Sequence, residues 1–246
     1  MSEAGPKPLK GQSALITGGA KRIGRALALE LASSGADVAI TFRDSSQEAA
    51  ETVSDLEAHG IRASAHRCNL DEQTEIIAAV SDVIARHGRL NLLVNNAGQF
   101  ASAKLEEISL AQWDAMFAAN TRAPFLMAQA CLPHLRKAHG RILNIGSLGG
   151  IEPWATHAHY CTSKAALHML SKTMAKAWAP EISVNCIAPG MIVQGEVGEA
   201  YQHFAARTPM QRNGTSADVA AAALFFATAP HFITGQLLAV DGGLGL

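Results

Sequence analysis

The sequence predicts a single α/β domain built on a doubly wound, parallel, seven-stranded sheet with helices on both faces. Three observations predict it. Short apolar runs alternate with longer runs of helical period along the whole chain. Several of the short runs are apolar throughout, as strands buried on both faces of a parallel sheet are. No linker, repeat or low-complexity stretch divides the 246 residues, a length that suits one large α/β domain.

The elements follow in order. SALIT (13–17) is the first strand, ended by Thr17-Gly18-Gly19, and Gly24 opens the helical run 22–34. DVAITF (37–42) leads through Arg43-Asp44-Ser45 into a helix over 46–59, and RASAHRC (62–68) leads into one over 71–87. NLLVNN (91–96) precedes a long helical stretch, 111–137, that Asn120 interrupts. RILNIGS (141–147) ends on Ser147 and precedes a helix over 160–179, SVNCIAP (183–189) ends on Pro189-Gly190, and a helix over 216–229 leads to LLAVDG (237–242). This order of strands and helices is that of a Rossmann fold. The domain is expected over 10–246, after a loose polar tail at 1–9 that contains two prolines.

Composition narrows the function. Hydrophobic residues make up 48% and charged residues 17%, and twenty basic residues nearly balance twenty-one acidic ones. That is neither a nucleic-acid nor a membrane surface, nor a disordered chain. No run of about eighteen apolar residues predicts a membrane span. Cys68, Cys131, Cys161 and Cys186 are far apart and form no CxxC pair. They fit reduced thiols in a cytoplasmic protein better than a disulfide frame or a zinc site. His157 and His159 have no third ligand at suitable spacing, so no metal is expected.

TGGAKRIG (17–24) sits where a dinucleotide-binding loop belongs, directly after the first strand and before a helix. Glycine lets the backbone approach a pyrophosphate, and the helix N-terminus supplies N–H groups and a partial positive charge. Yet the middle of the loop holds Lys21 and Arg22, and Arg43 ends the second strand where an NAD site would carry an acid for the ribose 2′-hydroxyl. Three cations suit the extra phosphate of NADP, which an arginine fork grips in bidentate fashion. Asp44 keeps NAD as the alternative.

Tyr160 and Lys164, in YCTSK, lie four apart on a helix and share a face. Ser147 ends a strand at the C-terminal edge of the sheet, where ligands of such folds bind. With Asn120 these residues carry a resemblance to the short-chain dehydrogenase/reductase family over about 10–246. TGGAKRIG resembles its TGxxxGxG, NNAG (95–98) and YCTSK match its NNAG and YxxxK, and the thirteen-residue step from Ser147 to Tyr160 fits. The resemblance implies a catalytic set of Asn120, Ser147, Tyr160 and Lys164. Tyr160 would be the general acid in carbonyl reduction, or the base in alcohol oxidation, its pKa lowered by Lys164. Ser147 would bond the substrate oxygen, and Asn120 would hold a water leading to Lys164. The implied cofactor contacts are Gly18, Lys21, Arg22, Ile23, Gly24, Arg43, Ser45, Asn69, Leu70, Asn96, Ala97, Gly98, Tyr160, Lys164, Pro189, Gly190 and Ile192. A homotetramer built partly from helices 111–137 and 160–179 is also implied.

Three positions depart from the family pattern. Arg22 stands for a glycine, Asn69 for an aspartate that meets adenine, and Gln194 for a threonine that bonds the carboxamide of the nicotinamide. The Lys21-Arg22 pair and the run from Thr208 to Gly243 resemble the pteridine-reductase branch, although Ser147 stands where that branch often has aspartate. A general carbonyl reductase is therefore expected first and a dihydropterin reductase second. An NADP-binding regulator without turnover is the alternative of another class. Met191–Gln211 is expected to be a substrate lid, and Trp154, His157, Tyr201, His203 and Phe204 are candidate substrate contacts.

Overall fold

The computed structural model describes residues 7–193, 195 and 199–246. Seven strands, β1 (Ser13–Ile16), β2 (Asp37–Phe42), β3 (Ala63–Arg67), β4 (Leu92–Asn95), β5 (Arg141–Ile145), β6 (Ser183–Pro189) and β7 (Leu237–Val240), form one parallel sheet in the order β3-β2-β1-β4-β5-β6-β7. The chain winds outward from β1 to β3 on one side and from β4 to β7 on the other. The order therefore reverses between β1 and β4, where open α/β sheets leave a crevice beyond the strand ends. Ile16 pairs with both Ile40 and Val94, so β1, β2 and β4 bring the loops that follow them to one edge.

Period two along the strands builds the core on both faces. Ile16, Ile40, Val94 and Ile145 pack with Leu27 and Leu31 of α1 (Arg22–Ser33) and Phe226 of α8 (Ser216–Thr228). Their neighbours Leu15, Ala39, Leu93 and Ile142 face the other way. They pack with Ile76 and Val83 of α3 (Gln73–His87), Met127 and Leu135 of α5 (Ala123–Lys137) and Met174 of α6 (Ala158–Trp178). A buried polar chain fixes α6 to the sheet: Asn95 Nδ2 donates to Asn144 Oδ1 at 2.9 Å, and Asn144 Nδ2 donates to Ser171 Oγ at 2.8 Å.

Most expected elements are present, with ends shifted by a few residues. Leu9 is buried in the core, and its N–H donates to the Ser34 carbonyl at 3.0 Å. The stretch 111–137 is not one helix. A capping box of Ser109 and Gln112 starts α4 (Leu110–Phe117) one residue earlier, and a π-helical turn, Ala118–Arg122, separates it from α5. Helix α2 (Ser46–Glu57) ends short of 59, and an unforeseen helix, α7 (Glu199–Arg207), lies within the expected lid. Residues 199–207 are mainly polar and give only a short helical pattern. Among the described residues no helix is long and apolar enough to cross a membrane.

Candidate active site

The loop after β1 shows why its glycines sit where they do. A Cβ on Gly24 would collide with the Gly18 carbonyl and lie 2.6 Å from Asn96 Nδ2, so only glycine lets α1 start this close to the strand end. Asn96 braces the loop, its Nδ2 donating to the carbonyls of Thr17 (2.9 Å) and Gly18 (3.2 Å). Thr17 Oγ1 in turn accepts from the backbone N–H groups of Asn96 and Ala97, both at 3.0 Å. Asn96 therefore lines the crevice with its amide already engaged.

Arg22 adopts a φ of 55°, in the left-handed region. An arginine there costs about 1–2 kcal/mol of backbone strain, and such strain is concentrated at functional sites. A cavity of about 480 Å³ runs from this loop to the β2 and β3 ends, lined by Lys21, Arg22, Arg43, Asp44, Ser45 and Asn69 among others. Gly18, Ile23, Gly24, Leu70, Asn96, Ala97 and Gly98 complete the part of the wall expected from the sequence. All three expected cations thus reach one cavity. Two of them have acidic neighbours: Arg43 Nε donates to Asp44 at 2.8 Å, and Lys21 Nζ lies 3.7 Å from Glu48. The Asp44 carboxylate holds the Arg43 guanidinium above its usual pKa, so it stays charged. Its terminal nitrogens remain available for a phosphate, as do the first N–H groups of α2, where Ser45 is the N-cap residue and makes no capping bond. Asn69 Oδ1 accepts from the Asp71 N–H at 3.3 Å, leaving one lone pair and its amine free for an adenine edge.

A second cavity of about 740 Å³ shares Arg22, Ile23, Asn96, Gly98 and Gln99 with the first, so the two form one cleft. Ser147, Tyr160, Lys164, Pro189, Gly190 and Ile192 line it. Ser147, Tyr160 and Lys164 are all less than a tenth exposed. Burial raises the Tyr160 phenol above its usual pKa, and a hydrogen bond with the Ser147 side chain pulls it back. The Lys164 ammonium donates to the Ile145 carbonyl at 2.8 Å. Burial in turn pulls Lys164 down to about 8. Ser147 Oγ accepts from the Gly149 N–H at 3.0 Å, which leaves its own hydrogen to donate.

Asn120 sits in the π-helical turn and is fully buried. Its side chain is engaged by protein partners. Oδ1 accepts from the Gln99 N–H at 2.8 Å, while Nδ2 donates to the Gln99 carbonyl and to Ser163 Oγ, both at 3.0 Å. Through these bonds Asn120 pins the loop after β4.

That pinned loop carries a residue the sequence reading missed, Phe100. Its ring is 64% exposed yet held in place, stacked on His157 at 4.9 Å and edge-on to Tyr160 at 4.8 Å. Beyond it the Ala103 N–H donates to the Thr156 carbonyl at 2.9 Å, tying the loop to the segment before α6. Trp154 also stacks on Tyr160, at 6.0 Å. Trp154, Tyr201, Met191 and Val193 line the second cavity, as does Phe100, and its cationic lining among the described residues is Arg22 and Lys164. Of the other candidate contacts, His157 backs Phe100, and Phe204 packs on His203 at 4.0 Å without lining the cleft. Gln194 lies outside the described residues. Among the described residues no three His, Cys, Asp or Glu groups come together as a metal site.

The arrangement matches known proteins over nearly its whole length. A family model for short chain dehydrogenases matches residues 12–203. The chain is 32% identical over 240 residues to the 3-oxoacyl-[acyl-carrier-protein] reductase of Staphylococcus aureus, covering 95% of this chain and 98% of that one. Among solved structures it is similar to a dehydrogenase/reductase from Sinorhizobium meliloti, with a TM-score of 0.93, 35% identity and coverage of 100% and 99% of the two chains. It is also similar to a blue fluorescent protein from a metagenomic library in complex with NADPH, with a TM-score of 0.92, 33% identity and coverage of 97% and 100%.

Proposed function

We propose that this chain, which belongs to the short-chain dehydrogenase/reductase family and is an oxidoreductase, reduces a carbonyl with NADPH as the electron donor. The observation that carries the reading is the single cleft. It is lined by three cations at one end and by Ser147, Tyr160 and Lys164 at the other. The donors fit the cofactor: Arg22, Arg43 and Lys21 suit a 2′-phosphate, and Gly24 leaves the backbone open to a pyrophosphate. When bound, NADPH supplies the hydride. Ser147 Oγ donates to the substrate oxygen, Tyr160 transfers its phenolic proton to that oxygen as negative charge develops there, and the Lys164 charge favours the resulting phenolate.

Arg43→Ala is expected to weaken NADPH binding about tenfold to a hundredfold, the range for losing a charged hydrogen-bonding partner. NADH binding should change far less. Fluorescence titration with the two cofactors checks this, and equal losses would remove the phosphate role of Arg43.

Trp154 and Tyr201, with Phe100, support an uncharged substrate with planar or aromatic surface. This wall favours dihydropterin reduction as the second reading, since a flat heterocycle would stack on Phe100. Turnover of NADPH against ketones, 3-oxoacyl thioesters, quinones and dihydropterins decides between the two. Selective use of one carbonyl class supports the first reading, and dihydropterin alone supports the second. Tight NADPH binding without turnover of any of them would favour a binding protein instead.

A cytoplasmic setting is supported by the free cysteines, three of which are buried. A homotetramer is supported by exposed apolar side chains on α5 and α6, Phe125 and Met169.

A further inference from the structure

The turn that carries Ser147 rests on a buried imidazole that the reaction described above does not use. His168 lies on α6, four residues beyond Lys164 and eight beyond Tyr160, so one helical face presents all three. The ring is almost fully buried, and its Nε2 accepts the backbone N–H of Ser147 at 3.3 Å. It also makes a hydrogen bond with the backbone of Gly150, at the far end of the same turn. Because Nε2 accepts, the ring proton belongs on Nδ1.

The fit is close on both sides. A Cβ on Gly146 would collide with His168 Nε2 and lie 2.7 Å from Cδ2, and one on Gly150 would lie 2.5 Å from Cε1. The same Gly150 Cβ would sit 2.8 Å from the Lys164 carbonyl carbon, so the turn lies directly on α6. Within the turn, the Gly146 N–H donates to the Ile187 carbonyl at 2.7 Å and the Gly150 N–H to the Ser147 carbonyl at 2.9 Å. Among the described residues the Ser147 N–H has no backbone acceptor, only the His168 ring. Burial and the charge of Lys164 pull the imidazole down to about 4, so it is neutral and keeps its lone pair at working pH.

We propose that His168 is a positioning residue for carbonyl reduction: as a neutral acceptor it fixes the Ser147 backbone and so aims Ser147 Oγ at the substrate oxygen beside Tyr160. The inference rests on Ser147 being the group that bonds that oxygen. It adds that Tyr160, Lys164 and the support for Ser147 are set by one helix.

The test combines kinetics with a spectroscopic measurement that needs no variant. Long-range ¹H–¹⁵N spectra of the wild-type protein at neutral pH should show His168 as a neutral Nδ1–H tautomer. An Nε2–H tautomer overturns the proposal whatever the enzyme reduces. In NADPH-dependent reduction of 9,10-phenanthrenequinone, His168→Leu should lower kcat about tenfold to a hundredfold, the scale of a displaced reacting group. NADPH affinity should stay near the wild-type value. His168→Gln, which retains an acceptor, should recover most of the loss. In a Ser147→Ala background His168→Leu should cost little more, because the group it aims is gone. An equal loss in both backgrounds, or equal losses for Leu and Gln, overturns the assignment. A wild-type protein that binds NADPH but does not reduce the quinone fails the functional reading instead, and the tautomer then decides the role of His168 alone.

Discussion

Tyr160→Phe is expected to lower kcat for NADPH-dependent reduction by about two to four orders of magnitude, the usual contribution of a positioned general acid. Cofactor affinity should stay near the wild-type value. The hydroxyl is the only group removed, and the ring keeps its edge contact with Phe100 and its stacking on Trp154. Packing therefore survives while the proton donor is lost. Single-turnover kinetics with saturating NADPH, beside a fluorescence titration of the same variant, separates the two effects. A variant with unchanged turnover would remove Tyr160 from the chemistry. A parent protein without turnover whose NADPH binding matches that of the variant would point to a regulator.

Lys164→Ala is expected to lose turnover by about two orders of magnitude or more, within the range for acid–base groups, and to bind NADPH more weakly. The truncation leaves the Ile145 carbonyl without its ammonium partner and opens a void in the wall of the cleft. The wild-type pH dependence gives a separate handle. Burial holds Lys164 at about 8, below its ordinary 10.5. Its charge is lost as pH rises through about 8, so reduction should fall there. The stability contribution has the opposite sign. Between about 8 and 10.5 the unfolded chain binds more protons at this site than the folded one, so the Lys164 contribution to stability rises with pH across that window. A loss of rate above pH 8 that accompanied unfolding would not come from Lys164.

Much of this was legible in the sequence for a physical reason: strands buried on both faces carry their burial in composition. LLVN and SVNCIAP could be placed without knowing their neighbours. The glycine loop and the spacing of Tyr160 and Lys164 are likewise local patterns. What escaped depends on residues distant in sequence. Asn120 was visible as an interruption, but its hold on Gln99 across twenty-one positions was not. Phe100 looked like an ordinary loop residue until Asn120 and Thr156 fixed the loop around it. The raised phenol of Tyr160 follows from its burial, which spacing does not reveal. His168 had one local signal, its i, i+4 step from Lys164, but its acceptor role required the turn at 146–150 to be in place.

Hydride transfer itself is open to direct observation. The purified protein would be given NADPH deuterated at both C4 positions and a prochiral aromatic ketone, and the product alcohol analysed by mass spectrometry and NMR. The predicted result is one deuterium on the carbinol carbon of a single enantiomer, with product formed at least about a hundredfold more slowly by Tyr160→Phe at the same enzyme concentration. Alcohol lacking deuterium, or formed equally well by the variant, would contradict a carbonyl reductase that uses Tyr160 as its acid.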